Sequence, residues 1–234
     1  MAPLIEVRGL EFRYPNGAEA LRGVDLDLFP GETLILLGAN GSGKTTLLLH
    51  LNGLLRAQAG RVTVCGLEVA PSNLAAIRNK VGFVFQDADD QLFMPTVLED
   101  VAYGLLNRGL SAEAARASAL DALAEVGLSD LAGRAPYHLS GGEKRRAALA
   151  GVLAMLPDIL VFDEPTTALD PPAQRNLAAL MRQLAPPKIV STHDAAFARA
   201  IGSRAMFFEK GKVAGVGTVE AIIKEFDWEA HLPS

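Results

Sequence analysis

The stretch "ETLILLGANGSGKTTLLLHL", residues 32–51, restricts the architecture of the chain more than any other. It starts as an apolar run that ends in glycine, which is typical of a strand buried on both faces of a parallel sheet. A glycine-rich turn follows, and the leucine-rich segment after it predicts a helix from about Lys44 to Leu55. The sequence therefore predicts a strand, a tight turn and a helix in direct succession.

The turn matches the phosphate-loop pattern G-x-x-x-x-G-K-[ST] from Gly38 to Thr45, in the strand–turn–helix context that the pattern requires. Its glycines leave backbone N–H groups bare to wrap phosphates, while Lys44 reaches the β- and γ-phosphates and the Thr45 hydroxyl ligates Mg²⁺. The alternative is a glycine-rich turn without a ligand. The residues predicted to contact a nucleotide here are Gly38, Ala39, Asn40, Gly41, Ser42, Gly43, Lys44, Thr45 and Thr46.

Outward from this turn, apolar strands alternate with helices, which indicates an α/β fold with a parallel sheet. Alternating segments at 4–8 and 24–28 predict a small antiparallel β subdomain near the N-terminus, and helical periodicity predicts an inserted α-helical subdomain at about 91–156. A hairpin is predicted around Glu209–Gly211. We expect one unit over residues 1–234, with further strands in 60–66, 81–85, 158–165 and 188–194 and further helices at 74–80, 173–185 and 220–226.

The composition limits the function classes. The chain has 234 residues, a net charge of −5 and a pI near 5.4, which disfavours nucleic acid as the main partner. Its single cysteine, Cys65, excludes an intrachain disulfide and suits a reducing compartment. Glu6 and Arg8 argue against a secretory signal, and no apolar run reaches the roughly 18 to 20 residues that span a bilayer. We expect a soluble chain, or one that reaches a membrane only through a partner.

A second apolar strand ends in two acids, in "ILVFDE", residues 159–164. Ligands of open α/β sheets bind at the carboxyl ends of the strands, so Asp163 is predicted to hold Mg²⁺ and Glu164 to polarise an attacking water. A third apolar strand ends in "STHD", where His193 is predicted to contact a γ-phosphate. The alternatives are that the acids cap the following turn and that the histidine is structural.

"LSGGEKRRAALAG", residues 139–151, is a second glycine turn that leads into a helix. The start of a helix has free N–H groups and a positive dipole end, so Ser140, Gly141 and Gly142 are predicted to bind an anion. One phosphate loop meets only one side of a triphosphate, and the other side needs donors as well. The basic run at 144–146 (Lys144, Arg145, Arg146) is interpreted as a solvated face of that helix.

The phosphate loop, "VFQD", "LSGGE", "ILVFDEP", "ALD" and "STHD" occur in an order that resembles the nucleotide-binding subunit of ATP-binding cassette (ABC) transporters, over about residues 4–222. The resemblance implies a P-loop NTPase fold with a RecA-like parallel core, ATP and Mg²⁺ as ligands, and attack of water on the γ-phosphate. Glu164, His193 and Lys44 are the implied catalytic residues. It also implies a homodimer or a pair of related cassettes, packed head to tail, with ATP between the phosphate loop of one and "LSGGE" of the other.

The same resemblance implies roles for three further residues. Tyr14 matches the aromatic residue that stacks on adenine, and the alternative is a strand-end tyrosine that packs on the core. Gln86, in "VFQD", matches the residue that ligates Mg²⁺ and senses the membrane partner. Asp170, in "ALD", matches the residue that links the two nucleotide sites across the pair. The implied metal ligands are therefore Thr45, Gln86 and Asp163.

"DADDQLFMPTVLEDVAYGLLNRGLS", residues 87–111, resembles the energy-coupling factor (ECF) branch of importers, and most of all the cobalt and nickel uptake ATPases. This implies a transmembrane scaffold and a substrate-capturing membrane protein as partners, and a peripheral position on the cytoplasmic face of the cell membrane. The alternatives are a vitamin importer of the same branch, for example for biotin, a soluble non-transport cassette, and a regulator that binds ATP without hydrolysing it.

Apolar residues on both sides of Gln86 predict a groove for short helices of that scaffold, with ordinary core as the alternative. They are Phe83, Phe85, Leu92, Phe93 and Met94. The chain ends in "DWEAHLPS", residues 227–234, where cassettes of this branch often carry a further dimerisation segment. We therefore expect pairing that is driven by ATP rather than a permanently paired resting state.

Overall fold

A computed structural model describes residues 2–228 of the chain. Six strands of its central sheet are β3 (Thr33–Leu37), β6 (Val81–Val84), β7 (Ile159–Asp163), β8 (Lys188–Thr192), β9 (Arg204–Glu209) and β10 (Lys212–Thr218). Their order across the sheet is β10-β9-β3-β8-β7-β6. Neighbours are parallel except β9 and β10, which form an antiparallel hairpin at one edge. The predicted parallel α/β core and the predicted hairpin are confirmed.

The predicted antiparallel part is a second sheet with the order β2-β1-β4-β5. Its strands are β1 (Ile5–Arg13), β2 (Glu19–Leu28), β4 (Ala59–Val64) and β5 (Leu67–Glu68). β1 and β2 are longer than their alternating segments predict, because shifts in register along the pair let both strands bend and continue. This sheet packs against the central one and leaves room for a helix between them.

Eight α-helices and four short 3-10 helices complete the described part of the chain, and the α-helices are numbered α1 to α8. They are α1 (Lys44–Leu51), α2 (Leu74–Lys80), α3 (Val97–Asn107), α4 (Ala112–Glu125), α5 (Gly141–Leu153), α6 (Pro171–Gln183), α7 (Ala195–Ile201) and α8 (Val219–Glu225). Helices α3 to α5 form the predicted helical insertion. The sequence interpretation missed α7, and it extended α1 four residues too far. That helix ends early because Asn52 caps it and Gly53 adopts a φ of 68°.

The apolar run of β3 is buried on both faces, as predicted. Leu34 and Leu36 point into a core shared with the antiparallel sheet and α1, whereas Ile35 and Leu37 point into a core shared with the helices. Strand side chains alternate between faces, so each residue of the run has apolar neighbours. The central sheet therefore lies between two apolar cores, and polar groups are found near the ends of its strands.

Three of these ends meet at one edge of the sheet. β8 lies between β3 and β7, with Leu37 opposite Thr192 and Asp163 opposite Ser191. Because the strands are parallel, the residues that follow them emerge side by side. The topology thus brings the phosphate loop, the acidic pair and His193 together. Met1 and residues 229–234, most of the terminal octapeptide considered above, lie outside the described residues.

Candidate active site

The phosphate loop lies between β3 and α1, and its shape depends on two glycines. Gly38 has a φ of 147°, and a Cβ there would lie 2.3 Å from the carbonyl oxygen of Phe208. Gly43 has a φ of 110°, and its Cβ would lie 2.5 Å from the carbonyl oxygen of Ala20. A larger residue at either position is excluded by contact with backbone, so the loop needs glycine to reach its conformation.

Lys44 is the buried cation of the loop, with 4% of its surface exposed. Its Nζ donates to the carbonyl oxygens of Gly38 at 2.7 Å and Ala39 at 3.1 Å. The same atom lies 3.3 Å from Oε1 of Glu164, which is equally buried and accepts no hydrogen bond through that oxygen from residues 2–228. The ammonium group is therefore fixed at the centre of the loop next to a carboxylate.

Asp163 ends β7 directly behind the loop. Its Oδ1 accepts hydrogen bonds from Ser191 Oγ at 2.6 Å and from Thr45 Oγ1 at 3.1 Å. Burial raises the pKa of Asp163, and these two hydrogen bonds oppose that rise. A carboxylate beside a hydroxyl is a set of oxygen donors that suits Mg²⁺. The two predicted metal ligands Thr45 and Asp163 are thus in contact, and their chemistry fits the ion.

Glu164 has an unusual backbone for its type, with a φ of 43°. Its N–H donates to the carbonyl oxygen of Ser191 at 3.1 Å and to Ser191 Oγ at 2.9 Å, which holds it in that conformation. Its Oε2 lies 2.8 Å from Nδ1 of His193 and accepts the His193 backbone N–H at 3.2 Å. The carboxylate therefore joins Lys44 on one side to His193 on the other, so the three predicted catalytic residues form one connected group.

Gln86 is exposed and does not contact the other two predicted metal ligands directly. All three line one cavity of about 770 Å³, together with Gly141 and Lys144 of α5. The cavity is large enough for an ion and phosphate groups to lie between these residues.

Tyr14 follows β1 directly, and its hydroxyl lies 3.1 Å from Thr46 Oγ1. Its ring packs edge-on against Phe12, with 5.0 Å between centroids. Tyr14 is half-buried and touches the core, so it has the contacts of a strand-end tyrosine. The predicted role in stacking on adenine stays a prediction.

The "LSGGE" turn precedes α5 and lies mainly at a different cavity from the one lined by Ala39 to Ser42. Ser140 caps α5: its Oγ accepts the Glu143 N–H at 3.3 Å, and the Glu143 carboxylate accepts the Ser140 N–H at 2.8 Å. The Ser140 N–H and the Ser140 hydroxyl both donate to the Glu143 carboxylate, at 2.8 Å each, and lower the pKa of Glu143. The residues Ser140 to Gly142 share a cavity of about 410 Å³ with Asp170, which caps α6 through the Ala173 N–H. Ser140 and Gly141 are exposed. Ser140 and Gly142 therefore line a cavity without phosphate-loop residues, whereas Leu139 and Gly141 also line the cavity of Thr45.

Two residues of this region were misjudged or missed. Arg145 is not part of a solvated face, because only 5% of it is exposed, and it donates to the carbonyl oxygens of Phe85 and Gln86 at 2.6 Å each. Lys144 forms an ion pair with Asp89 at 2.7 Å. The contacts of Arg145 and Lys144 tie α5 to the segment around Gln86.

The sequence interpretation also misses Ser191, although "STHD" places it two residues before His193.

The predicted groove is partly core. Phe83 and Leu92 are buried, whereas Phe93 is 62% exposed and packs edge-on against Tyr103 with 5.1 Å between centroids. Phe93, Tyr103 and Asp100 line a cavity of about 210 Å³. The Oδ1 atom of Asp100 accepts hydrogen bonds from the N–H groups of Phe93 and Met94. Burial raises the pKa of Asp100, whose Oδ2 is buried without a hydrogen-bond partner among the described residues. The exposed rings of Phe93 and Tyr103 thus share a cavity with the carboxylate of Asp100.

The described helices include none that is both long and apolar enough to cross a bilayer. The model of the family described as "ABC transporter" matches residues 21–167. The energy-coupling factor transporter ATP-binding protein EcfA of Methanosphaera stadtmanae is 44% identical over 239 residues, covering 99% of this chain and 86% of the relative.

Two solved structures are similar over nearly the whole chain. cbiO1 from Clostridium perfringens, part of the ABC transporter complex cbiONQ, superposes with a TM-score of 0.87 at 31% identity, covering 97% of this chain and 93% of that one. The ATP-binding cassette MJ0796, solved as a dimer in a post-hydrolysis state with ADP and Pi, gives 0.83 at 31% identity, covering 92% and 98%. The chain therefore belongs to the ABC transporter family, as an ATPase that couples ATP hydrolysis to transport.

Proposed function

We propose that this chain is the ATPase subunit of an ECF-type importer that takes up cobalt or nickel ions, held peripherally on the cytoplasmic face of the membrane. The observation that supports the ECF branch most is the likeness over the whole chain to an EcfA protein, including residues 87–111. The metal cargo rests on the wording of that segment and on the similarity to cbiO1. We take residues 1–234 as a single cassette with its helical subdomain at about 91–156.

The roles proposed for the site residues are those that the family resemblance implies, and the contacts among Lys44, Glu164 and His193 support three of them. The phosphate loop from Gly38 to Thr46 would hold the triphosphate, and Tyr14 would stack on the base. Thr45, Asp163 and Gln86 would hold Mg²⁺, which neutralises charge on the phosphates when bound. Glu164, beside His193, orients the attacking water and accepts its proton, while Lys44 stabilises charge on the γ-phosphate.

Two copies, or this chain and a related cassette, would complete each other's sites. Ser140, Gly141 and Gly142 begin α5 on the surface, where a helix start offers N–H donors to an anion. The cavity that they share with Asp170 is lined by no residue of their own phosphate loop, although Gly141 also lines the cavity of Thr45. The partner's nucleotide is thus the ligand proposed for this turn, with Asp170 beside it at the junction of the two sites.

The predicted groove, with the exposed Phe93 beside it, is the proposed binding site for the membrane scaffold. Phe93→Asp tests it better than Leu92→Asp, because Leu92 belongs to the core and a carboxylate there would unfold the chain. Phe93→Asp should lower co-purification of the scaffold roughly 30-fold, the effect of losing a central aromatic contact. Tyr137→Asp, at an exposed aromatic residue elsewhere, is the matched control. If Phe93→Asp recovers the scaffold in full amount, the scaffold binds another surface of the chain.

Transport by the assembled complex tests the cargo. The tagged chain would be purified with its native membrane partners, reconstituted in liposomes, and given ATP with radioactive cobalt or nickel ions or with labelled biotin. Metal should accumulate inside with wild-type complex and not with the Glu164→Gln complex. Accumulation of biotin without metal would replace the metal proposal with the vitamin alternative, and no ATP-dependent uptake of either cargo would contradict both.

A further inference from the structure

The backbone carbonyl of His193 has a partner far along the chain. Trp228 follows α8, and its indole Nε1–H donates to the His193 oxygen at 2.9 Å. Trp228 is 8% exposed, so this hydrogen bond is shielded from water. A residue near the carboxyl end of the described chain thus contacts the peptide group of a proposed catalytic residue.

Trp228 is itself firmly held. Its ring packs edge-on against Phe207 of β9, with 5.3 Å between centroids, and Phe207 stacks face to face on Phe226 at 4.0 Å. The Trp228 N–H donates to the Ile223 oxygen at 3.0 Å. The same aromatic wall faces the phosphate-loop residues Ala39 to Ser42 across a cavity of about 360 Å³. The indole is therefore a rigid part of the core next to the loop.

His193 depends on its backbone for its orientation. Its side chain is 44% exposed, so packing alone does not fix the ring. Its N–H and its ring Nδ1 both point to Oε2 of Glu164, at 3.2 and 2.8 Å, and its carbonyl points to Trp228. The indole thus holds the carbonyl group of His193, while the N–H group of the same residue donates to the Glu164 carboxylate.

We propose that Trp228 is a positioning residue for ATP hydrolysis, whose indole N–H sets the His193 peptide and, through it, the contact between His193 and Glu164. This rests on the proposed role of His193. Small errors in the position of a catalytic group reduce turnover strongly. Loss of the N–H should therefore lower kcat while leaving ATP binding, which depends on the phosphate loop, nearly unchanged.

Trp228→Phe removes the N–H and keeps an aromatic ring against Phe207. We expect kcat of the full chain to fall about tenfold, with KM for ATP within about twofold of wild type. Val219→Ala, a core truncation in α8, controls for a general loss of stability and should lower Tm without this change in kcat. Wild-type kcat in Trp228→Phe, or an equal fall in Val219→Ala, would overturn the proposal.

A double-mutant cycle separates this inference from the role of His193. Trp228→Phe should add no further loss to His193→Ala, because the indole acts through that side chain. Full kcat in His193→Ala would remove His193 from the mechanism and this inference with it. If kcat falls in His193→Ala but not in Trp228→Phe, only the role of Trp228 is overturned. The same holds if the losses in kcat of the two single variants multiply in the double variant.

Trp228 is the single tryptophan of the chain, so its fluorescence reports on this contact without labelling. In Glu164→Gln, where hydrolysis is blocked, Mg²⁺ and ATP should change the emission, and adding His193→Ala should reduce that change. Emission that responds identically with and without the histidine ring would contradict a link between the two residues. This readout holds even where turnover of the double variant falls below detection.

Discussion

The phosphate loop and the "LSGGE" turn are both glycine turns that lead into a helix, yet their surroundings are opposite. The loop encloses two buried charges, Lys44 and Glu164, 3.3 Å apart. The turn is exposed, and its cap uses Ser140 with Glu143 at the surface. The loop has a buried cation beside a buried carboxylate, whereas the turn has an exposed helix start whose Ser140 already donates to Glu143.

This difference explains how one small cassette can carry two anion-binding turns. Buried charges in a low-dielectric site can act on a phosphate, whereas exposed N–H donors bind an anion only if another surface excludes water. The loop supplies charge chemistry, and the turn needs a partner to become a site.

The largest effect is expected from Glu164→Gln. The amide keeps the size of the side chain and cannot take a proton from water, so kcat should fall about 10³-fold while ATP still binds. Steady-state hydrolysis and size-exclusion chromatography with ATP measure the two parts, and paired molecules should accumulate. Asp158→Asn removes a surface carboxylate that pairs with Lys80 and is the control. Near-normal turnover in Glu164→Gln would assign the water to another residue.

Lys44→Met should lower nucleotide affinity and also the stability of the free chain. Without the cation, the buried Glu164 carboxylate keeps only its contacts with His193 among the described residues, so the free energy of unfolding should fall by about 3 kcal/mol at neutral pH. Urea denaturation would measure the loss.

Adding Glu164→Gln to Lys44→Met is the matched control. Both variants lack the hydrogen bonds from Lys44 to Gly38 and Ala39, so any recovery of stability isolates the ion pair. A double variant as unstable as Lys44→Met alone would show that these backbone hydrogen bonds carry the effect instead.

Ser140→Phe tests the exposed side of the comparison. A bulky ring at the start of α5 should block a partner's nucleotide and reduce kcat about 10²-fold, the effect of losing a preorganised donor. Ser111→Phe is the control, because Ser111 caps α4 in the same way through the Ala114 N–H. It should lose the cap and keep the activity.

Mixing two inactive variants separates pairing from simple damage. In a head-to-tail pair, Ser140→Phe in one copy and Lys44→Met in the other damage the same composite site and leave the second site intact. A mixture should therefore regain part of the activity that neither variant has alone. Activity that neither returns on mixing nor depends on protein concentration would contradict completion of the site by a partner.

Most of the fold follows from local patterns, whereas several site contacts depend on distant packing. The run ending at Gly38 predicts a doubly buried strand, and parallel strand order then brings Asp163 and His193 beside the loop. Nothing near Ser191 indicates that its hydroxyl bonds Asp163, because that contact depends on the register between two strands. Trp228 reaches His193 only through the folding of the last helix, and α7 is too short to give a clear period.

Arg145 shows the same limit and supports the smallest of the expected effects. A basic run in a helix indicates a solvated face, but packing of α5 buries this guanidinium against the Phe85 and Gln86 carbonyl oxygens. Arg145→Met keeps much of the apolar stem and leaves both oxygens unpaired, so the free energy of unfolding should fall by about 2 kcal/mol. Arg146→Met, which loses one longer bond to Val126, should cost less. Arg145 links the two turns, because Ser140 caps its helix and its partners Phe85 and Gln86 line the cavity of Thr45. If Arg145→Met lowers stability no more than Arg146→Met does, the two regions are not joined through this side chain.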